Sequence, residues 1–268
     1  MNEDLNTIDK HQSMVEHLIE LRDRLLRIVV LTLILFVCMF PFANEIYSFV
    51  SEPLQALLPE SSTMIATDVA SPFLTPFKLV MVLAVFAAMP VILYQVWAFI
   101  APGLYSKERR IMLPLFASSV ILFYAGMAFA YYVVFPLVFG FFTSVGPENV
   151  AVMTDISSYL NFVLKLFFAF GIAFEIPIAT ILLIWTGVVT PQSLAGKRPY
   201  VVVMCFVIGM LLTPPDIISQ ALLAGPMWLL FEIGVFFGRL IHRGKAEESD
   251  ADDTEDQADA KTSDENLS

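Results

Sequence analysis

Leu166-Phe-Phe-Ala-Phe-Gly-Ile-Ala-Phe-Glu175-Ile-Pro-Ile-Ala-Thr-Ile-Leu-Leu-Ile-Trp185 is an apolar stretch with a carboxylate near its middle. A helix of this length crosses about 30 Å of hydrocarbon. An acidic residue at the bilayer centre costs roughly 2.5 to 3.5 kcal/mol, so such residues usually face a bundle interior, a water-filled cavity or a functional pathway. The stretch therefore predicts a membrane protein with a function inside the membrane.

Composition supports this class along the whole chain. Of the 268 residues, 57% are hydrophobic and only 15% are charged, whereas a soluble domain has about 25% charged residues. We therefore predict an all-α polytopic membrane protein with six transmembrane helices, the last two of them short. The apolar segments are Leu25–Ala43, Phe77–Ile100, Ile111–Phe142, Tyr159–Gly187, Tyr200–Leu212 and Ser219–Phe237.

The basic residues predict the orientation, because cytoplasmic loops are enriched in Lys and Arg. Thirteen of the 15 Lys and Arg residues lie before the first segment or within its first turn, between the second and third, between the fourth and fifth, or after the sixth. Lys78 and Lys165 are the two exceptions, and each lies just inside a segment where it could extend towards the interface. We therefore expect both termini on the cytoplasmic side of the cytoplasmic membrane.

The net charge of −11 is concentrated at the C-terminus. Residues 246–268 contain ten acidic residues and one lysine, a net of −9, so the remaining chain carries −2. A tail of this composition cannot bury enough apolar surface to fold. We predict three parts: a cytoplasmic amphipathic helix at 1–24, a transmembrane domain at 25–243 and a disordered acidic tail at 244–268.

Known catalytic and ligand-binding motifs are missing from the sequence. Cys38 and Cys205 lie within apolar segments, which suits small buried hydrophobic residues rather than a disulfide or metal site. No HExxH, paired CxxC, phosphate-binding glycine loop or GxSxG is present. We expect a protein that is not an enzyme, with no cofactor, no metal and no nucleic-acid partner.

Three features of the membrane segments indicate departures from regular helices. The fifth segment has 13 residues, about 20 Å at 1.5 Å per residue, and Pro214 and Pro215 end it. A short hairpin with Asp216 at its turn would locally thin the membrane. Pro114 and Pro136 predict kinks in the third segment. Gly234-x-x-x-Gly238 is either a close-packing helix face or a coincidence.

Two glutamates near the cytoplasmic surface have a functional and a structural interpretation. Met14, Leu18, Leu21 and Leu25 recur at helical spacing, which indicates an amphipathic helix lying at the interface before the chain turns into the membrane. On that helix Glu20 precedes Arg24 by four residues and could simply pair with it. Glu108 precedes the third segment, where the helix dipole alone would favour a carboxylate.

Seven motifs extend a specific similarity over every membrane segment. They are His17-Leu-Ile-Glu-Leu-Arg22, Ser71-Pro-Phe73, Tyr94-Gln-Val-Trp-Ala-Phe-Ile-Ala-Pro102, Glu108-Arg-Arg110, Phe174-Glu-Ile-Pro177, Lys197-Arg-Pro-Tyr200 and Leu212-Thr-Pro-Pro-Asp216. Together they resemble the TatC family, the multi-span subunit of the twin-arginine protein translocase. The resemblance implies export of folded proteins across the cytoplasmic membrane, driven by the proton-motive force.

The resemblance also implies a binding site for signal peptides. Two cytoplasmic glutamates of the family receive the paired arginines of the cargo signal peptide, and Glu20 and Glu108 match them. Guanidinium binds carboxylate in a bidentate fork that lysine does not reproduce. Arg22, Phe99 and Leu104 match positions near this pocket, and we expect Arg22 to hold a glutamate in place.

The same resemblance implies that the six helices form a cupped bundle. In that bundle Glu175 matches the family's buried acidic residue, which faces the concave side. We expect it to draw water or lipid head groups inward and thin the bilayer, or to sense the apolar part of the signal peptide. A proton relay is the alternative, but the sequence analysis finds no second intramembrane carboxylate for an onward step. We therefore favour a structural and electrostatic role.

Partners follow from the resemblance as well. They are single-span TatA- and TatB-like subunits, twin-arginine signal peptides of folded cargo, further copies of this chain and membrane lipids. Met210, Leu211, Thr213 and Gln220 match the region where partner helices dock, although Thr213 and Ser219 could also serve as ordinary caps of the hairpin. The outer face would carry a structured cap that includes Pro53, Ser71, Pro72, Phe73 and Asp216.

Two other functions fit parts of the sequence. A secondary transporter would also have an intramembrane acid, but such proteins usually show internal repeats and discontinuous helices, and no repeat is found. A passive membrane scaffold would explain the short hairpin but would leave Glu20, Glu108 and Glu175 without a role.

Overall fold

The computed structural model describes residues 2–55, 64–100, 109–145, 153–213 and 216–240, and this part of the chain is almost entirely helical. Leu104, Glu108 and the predicted tail at 244–268 lie outside the described residues. The chain divides into two compact units, residues 1–168 and 169–268. The helices are α1 (Asn2–Met39), α2 (Ala43–Gln55), α3 (Ser71–Ala87), α4 (Met89–Ile100), α5 (Arg109–Phe129), α6 (Phe135–Val145), α7 (Ile156–Ala173), α8 (Ile176–Trp185), α9 (Pro191–Gly196), α10 (Arg198–Leu212) and α11 (Ile217–Leu240).

These helices supply six membrane segments. Four stretches are long and apolar enough to cross a membrane: Leu18–Glu52, Leu113–Phe142, Ile156–Trp185 and Ile217–Leu240. A fifth is formed by α3 and α4, which together pass the same test and meet at a bend of 45°. The sixth is α10, whose 15 residues give a length of about 22 Å. The predicted all-α polytopic membrane fold is confirmed.

The last segment is longer than the sequence analysis predicts. Helix α11 has 24 residues, about 36 Å, which is enough to cross the hydrocarbon, so of the last two segments only α10 is short. The sequence estimate ended at Phe237, ahead of the charged Arg239. A long arginine side chain can extend to the interface while its backbone stays helical.

Helix α1 also differs from the expected course. It runs for 38 residues without interruption, so the turn predicted between an interfacial helix and the first span is not found. Residues 18–30 contain neither proline nor glycine, and Glu20 pairs with Arg24 one turn later, an arrangement that supports a continuous helix. The boundary between residues 24 and 25 stays a prediction about the membrane surface.

Prolines mark the places where the other spans are irregular. Pro136, which has no N–H to donate, follows a π-helical turn at Ala130–Val134, so the irregularity predicted there takes that form. Pro114 lies inside α5 without ending it. The fourth span is interrupted after Ala173. Two residues, Phe174 and Glu175, separate it from α8, which has Pro177 in its first turn. This break next to Glu175 was missed by the sequence analysis.

The core of the first unit is built around Tyr159 of α7. Its ring is 2% exposed, and its hydroxyl donates to the Val50 carbonyl of α2 at 2.9 Å. The ring of Phe135 packs edge-on against it at 5.6 Å between centroids. Tyr131 likewise donates to the Phe49 carbonyl at 2.9 Å. These two tyrosines fix the end of the first span against α7 and against the π-helical turn at Ala130–Val134.

In the second unit, two glycines bring α11 close to α8. A Cβ on Gly234 would lie 2.8 Å from Cα of Pro177 and 3.0 Å from Cβ of Thr180. A Cβ on Gly238 would clash with Cδ1 of Ile184. The Gly234-x-x-x-Gly238 motif is therefore a close-packing face.

Gly234→Ala should destabilise the protein by about 1 to 3 kcal/mol, because the added methyl meets backbone that cannot rotate away. Thermal unfolding in detergent measures this change. Gly225→Ala on the same helix is the matched control, since a Cβ there meets nothing within 4 Å. Equal unfolding temperatures for the two variants would contradict the close approach.

Candidate functional site

Glu20 belongs to a polar cluster that joins α1 to α4. The Oε1 atom of Glu20 accepts from Arg24 Nε at 3.0 Å and from Arg24 Nη2 at 2.5 Å. Arg24 also donates from Nη1 to Gln95 Oε1 at 2.9 Å and from Nη2 to the Ala98 carbonyl at 3.3 Å. The Arg24 side chain is 18% exposed, whereas the Glu20 side chain is 41% exposed. A guanidinium held by α4 thus fixes a carboxylate that stays accessible.

Arg24, and not Arg22, is the arginine that holds Glu20. Arg22 donates from Nη2 to Asp23 Oδ1 at 2.7 Å, and its side chain is 65% exposed. Residues 20 and 24 share one face of α1 because they are one helical turn apart, whereas residue 22 lies on another face. The expectation that Arg22 holds a glutamate in place is therefore wrong for Glu20. Gln95, which is buried, was missed because an isolated glutamine in an apolar helix gives no spacing signal.

Phe99 occupies the end of α4, beside the carbonyl of Ala98 that Arg24 binds. It is therefore placed next to the Glu20 cluster along the chain. Leu104 and Glu108 fall in the segment that links α4 to α5, outside the described residues.

The loops before α3 and α7 are joined by hydrogen bonds around Asp155. Its Oδ2 accepts from Thr67 N at 3.1 Å and Thr67 Oγ1 at 2.8 Å, and its Oδ1 accepts from Ser158 N at 2.8 Å. The backbone adds Ile65 N to the Thr154 carbonyl at 3.0 Å and Ile156 N to the Ile65 carbonyl at 2.9 Å. One carboxylate therefore caps α7 and holds the loop before α3.

The residues expected in an outer cap take different positions. Ser71 is buried, and its hydroxyl lies 3.0 Å from that of Ser157, so it joins α3 to α7. Pro72 is the second residue of α3 and is exposed, as is Phe73. Pro53 is in α2, and its side chain lies outside the described part. Asp216 belongs to the second unit. Among the described side chains of this set in the first unit, Ser71 is the one that bonds to α7.

Glu175 lies at the break between α7 and α8. It precedes the first residue of α8, its amide donates to the Ile172 carbonyl at 3.0 Å, and its own carbonyl accepts from Ala179 at 2.9 Å. Pro177 cannot donate to the carbonyl four residues earlier, so the regular hydrogen-bond ladder stops here. The half-buried carboxylate is therefore positioned by the interruption of a membrane span.

Glu232 corrects the expectation that the membrane segments hold no second carboxylate. It lies in α11, and its Oε2 accepts from Arg198 Nη2 of α10 at 2.6 Å. Its Oε1 is buried, with no hydrogen-bond partner among the described residues. Glu232 lies inside the predicted segment Ser219–Phe237 and was visible in the sequence, whereas its pairing with Arg198, 34 positions away, required the structure.

The hairpin of α10 and α11 carries the residues expected to dock partners. Met210 and Leu211 are 49% and 69% exposed. Thr213 is buried, with its hydroxyl bonded to the Gly209 carbonyl at 3.0 Å, while Asp216 accepts from the Ser219 amide at 2.7 Å. Asp216 therefore caps α11, and Ser219 takes part through its amide, which Asp216 binds. Gln220 lies against Gly209, with its carbonyl 3.5 Å from the position of a Cβ there.

Fold and site together define a polytopic α-helical membrane protein with polar clusters at the ends of its spans. A sequence model of the Sec-independent protein translocase protein (TatC) family matches residues 16–226. The chain belongs to this family and is a component of the Sec-independent protein translocase.

Individual relatives agree over most of the chain. A TatC of Azotobacter chroococcum mcd 1 is 65% identical over 243 residues, covering 90% of this chain and 95% of the relative. A TatC of Escherichia coli K12 is 59% identical over 233 residues, covering 87% and 90%. A crystal structure of the twin-arginine translocase receptor TatC superposes with a TM-score of 0.76 at 40% identity, covering 84% of this chain and 98% of that chain.

Asp155→Ala should loosen residues 64–68 without unfolding the helices, because it removes the two hydrogen bonds from Thr67 that join the loops, together with the cap on the Ser158 amide. These bonds hold the pKa of the Asp155 carboxyl well below its usual range. A lowered pKa stabilises the fold above the unfolded value of about 3.9, and this stabilisation is lost as the pH falls through the folded value. Hydrogen exchange at Thr67 and Ser158, corrected for intrinsic rates, should therefore show equal protection at pH 5 and 7 in the parent protein. Corrected exchange at Thr67 or Ser158 that is faster at pH 5 than at pH 7 would contradict the lowered pKa of Asp155.

Proposed function

We propose that this chain is the signal-peptide receptor of the Sec-independent translocase, and that Glu20 binds an arginine of the incoming peptide. The observation that carries the proposal is the anchored carboxylate of Glu20. Arg24 is bonded to Gln95 and Ala98 of α4, so Glu20 cannot swing freely. Preorganisation of this kind reduces the entropy lost on binding. The solved relative described as a twin-arginine translocase receptor supports the same function.

Glu20 keeps hydrogen-bond acceptor capacity for an incoming guanidinium. Both hydrogen bonds from Arg24 end on Oε1 of Glu20. A carboxylate has two oxygens and about four lone-pair sites. The second oxygen can therefore receive a guanidinium from the peptide.

We propose Glu108 as the second carboxylate of the site because it directly precedes α5 in the sequence. Arg24 binds the last turn of α4, Glu108 directly precedes Arg109 of α5, and α4 packs against α5 through Tyr94 and Phe116. Two carboxylates near this end would suit two adjacent arginines. Phe99 and Leu104 would supply apolar contacts to the peptide beside them.

Binding of a twin-arginine peptide to the purified protein in nanodiscs tests this assignment. Glu20→Gln keeps an acceptor for Arg24 but removes the charge, and it should weaken Arg-Arg binding about tenfold or more, since a hydrogen bond to a charged group contributes roughly 1.5 to 3 kcal/mol. Glu108→Gln should have a similar effect, and a Lys-Lys peptide should bind weakly to all forms. Arg24→Gln should also weaken binding, because it releases Glu20 from α4.

Glu52→Gln is the matched control, because Glu52 is an exposed carboxylate at the other end of the first span. It should bind both peptides as the parent does. Equal affinity of Arg-Arg and Lys-Lys peptides for every variant would sink the receptor assignment and leave Glu20 as an internal ion pair.

We infer a structural and electrostatic role for Glu175 in transport driven by the proton-motive force. Its position at a broken span suits hydration of the membrane interior, since non-helical backbone at membrane depth needs polar partners. Glu232 is held by Arg198, so this second carboxylate is already engaged in an ion pair. That pairing favours the electrostatic role over a relay.

Glu175→Gln keeps the shape and hydrogen-bonding capacity of the side chain while removing its charge. We expect export of a folded reporter in membrane vesicles to fall severalfold, while peptide binding stays at the parent level because Glu20 is unchanged. Glu232→Gln is the comparison variant for a carboxylate in an ion pair. Full transport by Glu175→Gln would remove any need for its charge.

For the assembly we propose single-span TatA- and TatB-like subunits and further copies of this chain. Exposed Met210 and Leu211 beside polar Gln220 suit a partner helix in lipid, where small packing contacts and interhelical hydrogen bonds drive association. The distribution of basic residues supports a location in the cytoplasmic membrane with both termini inside. Folded cargo with twin-arginine signal peptides would complete the set of partners.

A further inference from the structure

The two lysines that fall outside the basic cytoplasmic flanks line one cavity in the first unit. Lys78 lies on α3 and Lys165 on α7. The cavity has a volume of about 430 Å³, and its lining residues are Lys78, Val82, Asn161, Leu164, Lys165 and Phe168. Two cations separated by 87 positions in the sequence (165 minus 78) thus converge on one space.

The polar part of this cavity is organised by Asn161. Lys78 Nζ donates to Asn161 Oδ1 at 2.5 Å. Asn161 and Lys165 are four residues apart on α7, so they share a helix face. The lining contains two positive charges and no carboxylate among the described residues. The cavity is therefore complementary to an anion.

The remaining lining is apolar and opens towards the surroundings of the helices. Val82 and Leu164 lie one turn beyond Lys78 and Asn161, and Phe168 is 50% exposed. Lys78 is seven residues beyond the start of α3 and Lys165 nine beyond the start of α7, about 10 and 14 Å along each helix. These depths let both ammonium groups extend towards the interface, with an apolar wall beneath them.

We propose that this cavity binds an anionic phospholipid, with the phosphate between Lys78 and Lys165 and an acyl chain along Val82, Leu164 and Phe168. A positive pocket between transmembrane helices is a recognised way of binding anionic head groups. In the orientation proposed above, the site faces the outer leaflet. The proposal needs no bound signal peptide, so its outcome is independent of the receptor assignment.

Native mass spectrometry of the full chain in nanodiscs tests the site. The probe is phosphatidylglycerol diluted in phosphatidylcholine. An interfacial lysine contributes about 1 kcal/mol to binding of anionic lipid, which converts to about fivefold in affinity. Lys78→Gln and Lys165→Gln should each weaken phosphatidylglycerol retention about fivefold, and the double variant about 25-fold, while Lys78→Arg/Lys165→Arg should retain it.

Lys197→Gln is the control for loss of one positive charge that does not line the cavity, and it should bind phosphatidylglycerol as the parent does. Unfolding temperatures in phosphatidylcholine alone establish that each variant folds. Equal retention by the parent and the double variant would overturn the proposal. Unchanged lipid retention with loss of a single-span partner would also overturn it, because the occupant would then be an acidic side chain of that partner. Twin-arginine peptide binding, measured in parallel, should be unaffected by the Lys78 and Lys165 variants.

Discussion

Hydrocarbon offers no hydrogen-bond partner to a peptide group, and this constraint determines most of the described backbone. Each membrane segment satisfies its amides internally as a helix. The exceptions occur where proline removes a donor. Pro90 lies in the first turn of α4 after the bend, Pro136 follows the π turn, and Pro177 follows the break at Glu175. Glu175 thus lies where the helical hydrogen-bond ladder is already interrupted.

Long cationic side chains form hydrogen bonds between helices. The apolar pattern alone does not specify which helices are neighbours. Within the first unit, Arg24 of α1 donates to Gln95 of α4, and Lys78 of α3 donates to Asn161 of α7. Within the second unit, Arg198 of α10 donates to Glu232 of α11. Leucine packs about equally well against lipid and against another helix, so directional bonds of this kind specify which helices pair. The proposed binding residue Glu20 is held through one of these bonds, because Arg24 contacts both Glu20 and Gln95.

Much of this architecture could be predicted because its signals are local. Segment length and hydropathy identified the six spans, and the two glycines of α11 marked a real packing face. The family resemblance was confirmed over residues 16–226. Local signals were less reliable at helix ends: α11 extends past Phe237 to Leu240, and α1 has no break near residue 24, because an arginine next to the interface does not stop a helix.

The sequence by itself determined the class of protein, the number of membrane segments and the irregularity next to Pro136, since each follows from hydropathy or from a missing amide hydrogen. Only the tertiary structure decided which side chains meet. It assigned Arg24 rather than Arg22 to Glu20, paired Glu232 with Arg198, and placed Lys78 and Lys165 on one cavity. Such pairings join different helices, and the reach of a side chain in space is not encoded by spacing along one helix.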